Sequence, residues 1–222
     1  MVSKFQGWHI LPNDKTLKLA LSHSKRRHGI SDIFEYQKDQ LIKAIKLSKK
    51  FRNCIDIGAH YGLMSYHMSE RFENVYSFEI EPSVRKCLEM NMDEFDCSNV
   101  KVYPCGVGES NKLVGINFAP KGKTFGTHIN NKALPMIEIK SIDSFDFKDI
   151  DFIKIDAEGY EPFIIDGAIK TIKKYKPIIL YERKGHEKRY GKSRDSVLQR
   201  LSKLGYKDLV DVGNKNGIIG VI

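Results

Sequence analysis

The sequence predicts an α/β fold: a doubly wound, Rossmann-like sheet of mostly parallel strands in a single domain. Three observations carry this. Short apolar runs alternate with segments of helical periodicity along the 222 residues. Most of those runs end in an acidic residue or a glycine, as at Asp56, Glu79, Gly106, Asp156 and Glu182. The run from Pro177 to Tyr181 is continuously apolar, as expected of a central parallel strand covered on both faces. Ligands of such sheets bind outside the carboxyl ends of the strands, so these five positions converge on one expected site.

Taken in order, residues 1–48 read as an N-terminal extension and a helix packed on the core, and residues 49–222 as the domain proper. Phe34, Leu41, Ile42, Ile45 and Leu47 recur at helical spacing after Ser31-Asp32, which predicts a capped helix over 32–48. Asn53 to Ile57 is the first strand. Asp56-Ile57-Gly58-Ala59-His60-Tyr61-Gly62 then turns the chain into an apolar helical run from Leu63. Val75 to Phe78 is a second strand closed by Glu79, and Pro82 opens the next helix. Val100 to Cys105 is a third strand ending in Gly106-Val107-Gly108. Lys112–Phe118 and Pro135–Ile142 alternate as β-structure around a polar segment, a hairpin-like insertion. Asp151–Asp156 is a strand running into Ala157-Glu158-Gly159 and a helix through Ile172. A helix over 193–204 and two strands, Tyr206–Val212 and Ile218–Ile222, complete the chain.

The turn at Asp56–Gly62 has the chemistry of a cofactor cradle. Glycine admits close backbone approach, and the following helix N-terminus offers free N–H groups. The spacing is D-x-G-x-x-x-G and not the G-x-G-x-x-G of dinucleotide enzymes, so a pyrophosphate ligand is disfavoured. Glu79 stands about 20 residues beyond Gly58, the offset at which an acid binds a ribose diol.

The net charge of +9, from 37 Lys and Arg against 28 Asp and Glu, favours partners bearing phosphate or carboxylate. Nucleic acid is the less favoured of these, because Lys25-Arg26-Arg27-His28 is more simply a solvated segment. No apolar run approaches the ~18 residues of a membrane span and Met1–Ile10 has no signal-peptide core, so a cytoplasmic location is expected. Cys54, Cys87, Cys97 and Cys105 form no C-x-x-C pair and read as reduced thiols; the histidines form no H-E-x-x-H cluster, and no metal site is read. The oligomeric state is not legible.

Five strings, D-I-G-A-H-Y-G, F-E-I-E-P, I-D-S-F, D-F-I-K-I-D-A-E-G-Y-E and P-I-I-L-Y-E, resemble the FkbM family of methyltransferases over about residues 50–185. The resemblance implies the class I S-adenosylmethionine-dependent fold, with seven strands and an antiparallel last hairpin, and chiefly O-methylation of a small-molecule or carbohydrate hydroxyl. It implies a cofactor site of Asp56, Gly58, Ala59, His60, Tyr61, Gly62, Glu79, Ile80, Gly106, Val107 and Asp156. Gly58, Ala59 and Gly62 would face the methionine part, Glu79 the ribose, and Ile80 the adenine, with Gly106 and Val107 at its edge. His60 replaces the family's usual Asn.

A hydroxyl acceptor must lose its proton, and Asp156 and Glu158 are the candidate base or acceptor orienter, with Glu182 and His60 behind them. Arg183, Lys184, His186, Lys188, Arg189, Lys192 and Arg194 crowd the segment after the fifth strand and suggest an anionic acceptor. Asp143 reads as structural. Two other classes compete: a metal-dependent nuclease in which Asp156 and Glu182 hold Mg²⁺ beside Lys184, and a basic binding module without turnover. The nuclease reading leaves the glycine loop and Glu79 unexplained.

Overall fold

The computed structural model describes residues 2–12, 14–211 and 216–221. The first elements are a short hairpin, β1 (Ser3–Phe5) and β2 (Trp8–Ile10), and two helices, α1 (Thr16–His28) and α2 (Lys38–Ile45). The core follows as β3 (Asn53–Ile57), α3 (Leu63–Ser69), β4 (Asn74–Phe78), α4 (Pro82–Glu94) and β5 (Val100–Tyr103). A smaller sheet is inserted next: β6 (Gly106–Val107), β7 (Lys112–Asn117), β8 (His128–Ile129) and β9 (Met136–Lys140). The chain then returns through β10 (Ile150–Ile155), α5 (Glu161–Asp166), α6 (Ile169–Tyr175), β11 (Ile178–Glu182), α7 (Ser196–Ser202), β12 (Tyr206–Asp211) and β13 (Asn216–Val221). Val212 and Ile222, expected as strand ends, lie outside the described residues.

The central sheet runs β12-β13-β11-β10-β3-β4-β5. Five adjacent strands, β11 to β5 in that order, pair in parallel; β13 pairs antiparallel with both β11 and β12. From β3 the chain moves outward through β4 and β5, then returns on the other side with β10. That reversal is the topological switch, and it opens a crevice at the carboxyl ends of β3 and β10. Every residue of β11 is buried, as its unbroken apolar run requires.

Local sequence explains where elements start and stop. Asp32 accepts from Phe34 N–H to begin a single 3-10 turn, but Gln37 takes φ 58°, so the expected 32–48 helix is split and α2 begins only at Lys38. The third strand ends at Tyr103, and after Pro104 the chain leaves the main sheet to pair β6 with β9 in the inserted one. The helical run after Asp156 breaks at Gly167, where a Cβ would lie 2.0 Å from Gly108 O.

The hairpin and the two N-terminal helices pack on the core. Trp8 is fully buried and packs its ring 4.6 Å from Phe95 and 5.4 Å from Phe34. Buried Asn91 of α4 mimics a strand edge: it accepts from His9 N–H at 2.6 Å and donates to His9 O at 3.0 Å and Tyr61 O at 2.8 Å. The hairpin is thereby fixed to the glycine loop. All four cysteines are buried free thiols.

Candidate active site

A cavity of about 340 Å³ lies at the switch point, walled by the ends of β3, β4 and β10, by the inserted sheet, by Ala20 of α1, and by Tyr36 and Gln37 just before α2. Gly58, Ala59, His60, Glu79, Ile80, Gly106, Val107, Asp156 and Glu158 all line it. Asp56, Tyr61 and Gly62 do not.

These three stand behind the wall and shape it. Asp56 is fully buried, accepts from Ser65 Oγ at 2.7 Å and lies 3.1 Å from Lys154 Nζ. Lys154, itself on the cavity wall, donates to Gly58 O at 2.7 Å. Burial opposes its charge, but Asp56 and Asp156 outweigh that and raise its pKa. The buried ion pair therefore sets the height of the glycine loop, and its removal would leave a buried charge unpaired. Gly62 starts α3 at φ 92° with Leu88 2.5 Å from where its Cβ would be, so it serves packing. Tyr61 turns away from the cavity: its hydroxyl donates to Asp14 at 3.0 Å and accepts from Leu11 N–H at 3.1 Å.

Asp14 in turn accepts from Thr124 Oγ1 at 3.0 Å, and Thr124 N–H donates to Thr16 Oγ1 at 3.1 Å. The loop of the insertion is thus tied over the cavity, with Phe125 placed 4.9 Å from the His60 ring. Sequence reasoning missed this wall because its parts lie 110 residues apart in the chain. His60 Nε2 is shut off from solvent and has no hydrogen-bond partner, and burial lowers the ring's pKa to about 4, so a neutral imidazole faces the cavity.

Glu79 closes the second strand with both oxygens engaged once: His60 N–H and Glu81 N–H each donate at 2.9 Å. A carboxylate accepts about four hydrogen bonds, so capacity for two more donors remains. Burial pushes its pKa up to about 7. Around it, Phe78, Ile80, Val107 and Ile129 form apolar walls. An aromatic base against those walls, a diol on Glu79 and an aminoacyl end along Gly58 and Ala59 match what the cavity offers. S-adenosylmethionine has those three parts.

At the far end stand Asp156, Glu158 and Lys184, with Glu182 and His186 just behind. Glu182 is 3% exposed; burial and then Asp156 raise its carboxyl pKa strongly. It meets Lys184 in a close ion pair, and His186 Nδ1 lies 2.8 Å from Glu158 Oε2 and 3.6 Å from Glu182 Oε2. Glu161 explains the D-A-E-G-Y-E string: buried under the turn, its Oε1 accepts from Ala157 N–H at 2.9 Å and Gly159 N–H at 3.2 Å, fixing how Asp156 and Glu158 project. Asp143 accepts from Lys170 and Thr171 N–H, both at 2.9 Å, and caps α6 as a structural residue.

The basic segment after β11 is largely occupied with its own folding. Arg183 pairs with Asp195 at 3.0 Å, Arg194 donates to Arg183 O at 2.9 Å, and Arg189 donates to Glu158 O at 2.8 Å. Of the seven basic residues only Lys184 lines the cavity.

This sheet order, glycine loop and acidic strand end define a class I methyltransferase-type domain. The pattern of the methyltransferase FkbM domain matches residues 56–207, and the chain belongs to that family. None of the curated proteins compared with the sequence matches it significantly. Among solved structures, the FkbM methyltransferase of Methylobacillus flagellatus is similar at a TM-score of 0.56 with 18% identity, covering 77% of this chain but only 44% of that one. A precorrin-6y C5,15-methyltransferase of Geobacter metallireducens is similar at 0.52 and 16% identity, covering 82% of this chain and 84% of that one. A Streptococcus mutans protein crystallised with S-adenosylhomocysteine (SAH) also gives 0.52, at 13% identity, over 82% and 94% of the two chains. S-adenosylmethionine is the cofactor of this class of domain. Among the described residues no helix is long and apolar enough to cross a membrane.

Proposed function

We propose that the chain transfers a methyl group from S-adenosylmethionine to a hydroxyl of a sugar or other small metabolite. The observation that carries this is the convergence of Gly58, Glu79 and Asp156 on one cavity whose far end holds two further carboxylates. Ile80 and Val107 would hold the adenine, Glu79 the ribose diol and the glycine loop the methionine part. The bound cofactor would supply the methyl group, its sulfur keeping the electron pair of the carbon–sulfur bond, while Asp156 or Glu158 would take the proton of the acceptor hydroxyl. Alignment of the two reactants supplies much of the rate. Residues 1–48 and 49–222 act as one unit, a reading supported by the core that Trp8, Leu17 and Leu41 share with Leu88 and Met92.

Titration of SAH into the protein tests the cofactor site. Glu79→Ala is expected to weaken binding by about 1–3 kcal/mol, the effect of leaving donor hydroxyls without their buried acceptor. Unchanged affinity in that variant would remove the assignment. A pH dependence follows from the same group. The diol donates best to ionised Glu79, so SAH affinity should be constant well above pH 7 and fall as pH drops through about 7, where the carboxyl takes a proton. A flat profile in the wild type, or an unchanged slope in Glu79→Gln, would show that Glu79 does not hold the ribose. Labelled methyl donor incubated with cell-extract fractions then identifies the acceptor.

A further inference from the structure

Asp156 and Glu158 line the reacting end of the cavity and Glu182 backs it; the ammonium of Lys184 stands among them, and that of Lys154 lies on the same wall. Lys184 meets Glu182 in a close ion pair and so stands inside this group of carboxylates.

Three of the groups form a set of donors converging from different parts of the chain: Glu158 in the turn after β10, Glu182 at the end of β11, and His186 in the turn beyond. One carboxylate oxygen of each glutamate and one nitrogen of the histidine lie within 4.8 Å of one another. Adjacent ligands bound at about 2.1 Å to one ion stand roughly 3–4 Å apart, so small side-chain adjustments suffice. The two separations from His186 Nδ1, 2.8 and 3.6 Å, are already in or near that range. That nitrogen is itself shut off from solvent, although 35% of the His186 side chain is exposed, and it faces Glu158 Oε2 as an ion pair whose alignment does not make a hydrogen bond.

We propose that Glu158, Glu182 and His186 bind a divalent cation at the acceptor end of the cavity, and that the Lys184 ammonium occupies part of its place when the ion is absent. Two carboxylates with one imidazole suit Mn²⁺ or Zn²⁺ better than a soft metal. The Lys184 side chain is 38% exposed and has room to swing outward when the ion enters. The use of such an ion rests on the methyl-transfer reading: bound to the acceptor's oxygen it lowers that hydroxyl's pKa, so that Asp156 takes the proton more easily. The existence of the site does not rest on it.

Mn²⁺ titrated into the full chain with SAH already bound, followed by calorimetry and by loss of the free-ion EPR signal, tests the proposal. One ion per chain is expected. Glu182→Gln and His186→Ala should each weaken it on the order of tenfold to a hundredfold. Lys184→Met should tighten it, since the competing cation is gone. SAH affinity measured separately on each variant shows that the cavity has kept its shape, and its loss in the parent chain would count against the cofactor reading alone. Absence of Mn²⁺ binding in both the parent and Lys184→Met, or binding undiminished in the Glu182→Gln/His186→Ala double variant, overturns the metal site.

Discussion

Asp156→Asn is expected to lower methyl transfer by about 10²–10⁴-fold, the usual contribution of a positioned proton acceptor, while leaving SAH affinity within a few-fold of the parent. The residue follows the last position of β10, and its N–H donates to Ile57 O at 3.0 Å, so its backbone is held by the sheet whatever its side chain. Asparagine keeps the shape and loses the charge. Proton removal is thereby separated from cofactor binding, which rests on Glu79 and the glycine loop. Glu158→Gln is the necessary companion, because Glu158 lines the same end and is held by His186 at 2.8 Å. A slow Asp156→Asn beside a near-normal Glu158→Gln assigns the base to Asp156, and the reverse pattern to Glu158. Full activity in both, across pH, would show that neither carboxylate handles the proton.

The parts of the fold legible in the sequence were those fixed locally. The period-two and continuous apolar runs marked β3, β4, β7, β9, β10 and β11 nearly to their ends, because burial on a sheet face imposes that pattern directly, whereas the two-residue strands β6 and β8 are too short to show one. Glu79 and Asp156 were legible for the same reason: each terminates such a run, and topology sends all such ends to one rim. What failed was whatever depended on tertiary contact. Asp56 is the instructive case, since a carboxylate at the end of a glycine-loop strand looks like a ligand contact. The structure instead places it under the loop, where Lys154 arrives from β10, roughly a hundred residues later, to neutralise it. The 3–10 hairpin and α1 were missed because their apolar residues are few and their partners, Asn91 for the hairpin and Thr124 for α1, are distant in sequence. Composition alone reads the basic run after β11 as a charged patch, but Arg183 and Arg194 are used as hydrogen-bond donors within the segment, and Arg189 ties it to Glu158 O in the turn after β10.

Among the glycines whose surroundings are described, Gly58→Ala should be the most damaging added methyl group. Gly58 has φ +75°, which costs a residue with a Cβ about 1–2 kcal/mol, and the added carbon would lie 1.8 Å from Asp156 O. The obstacle is backbone, not the end of a flexible side chain, so relief requires β3 and β10 to separate at their carboxyl ends. Overpacking of that kind adds roughly 1–3 kcal/mol, for a total loss of about 2–5 kcal/mol. The site should suffer more than the fold, since the same movement shifts Gly58 O from Lys154 and the His60 N–H from Glu79. Thermal unfolding should show the destabilisation, and SAH titration a loss of binding larger than that of Glu79→Ala. A Gly62→Ala control separates the two effects: its Cβ would meet Leu88 and Met92 side chains on the far side of the loop, so stability should fall with SAH affinity less affected. If Gly58→Ala binds SAH like the parent, the glycine loop does not sit against the cofactor.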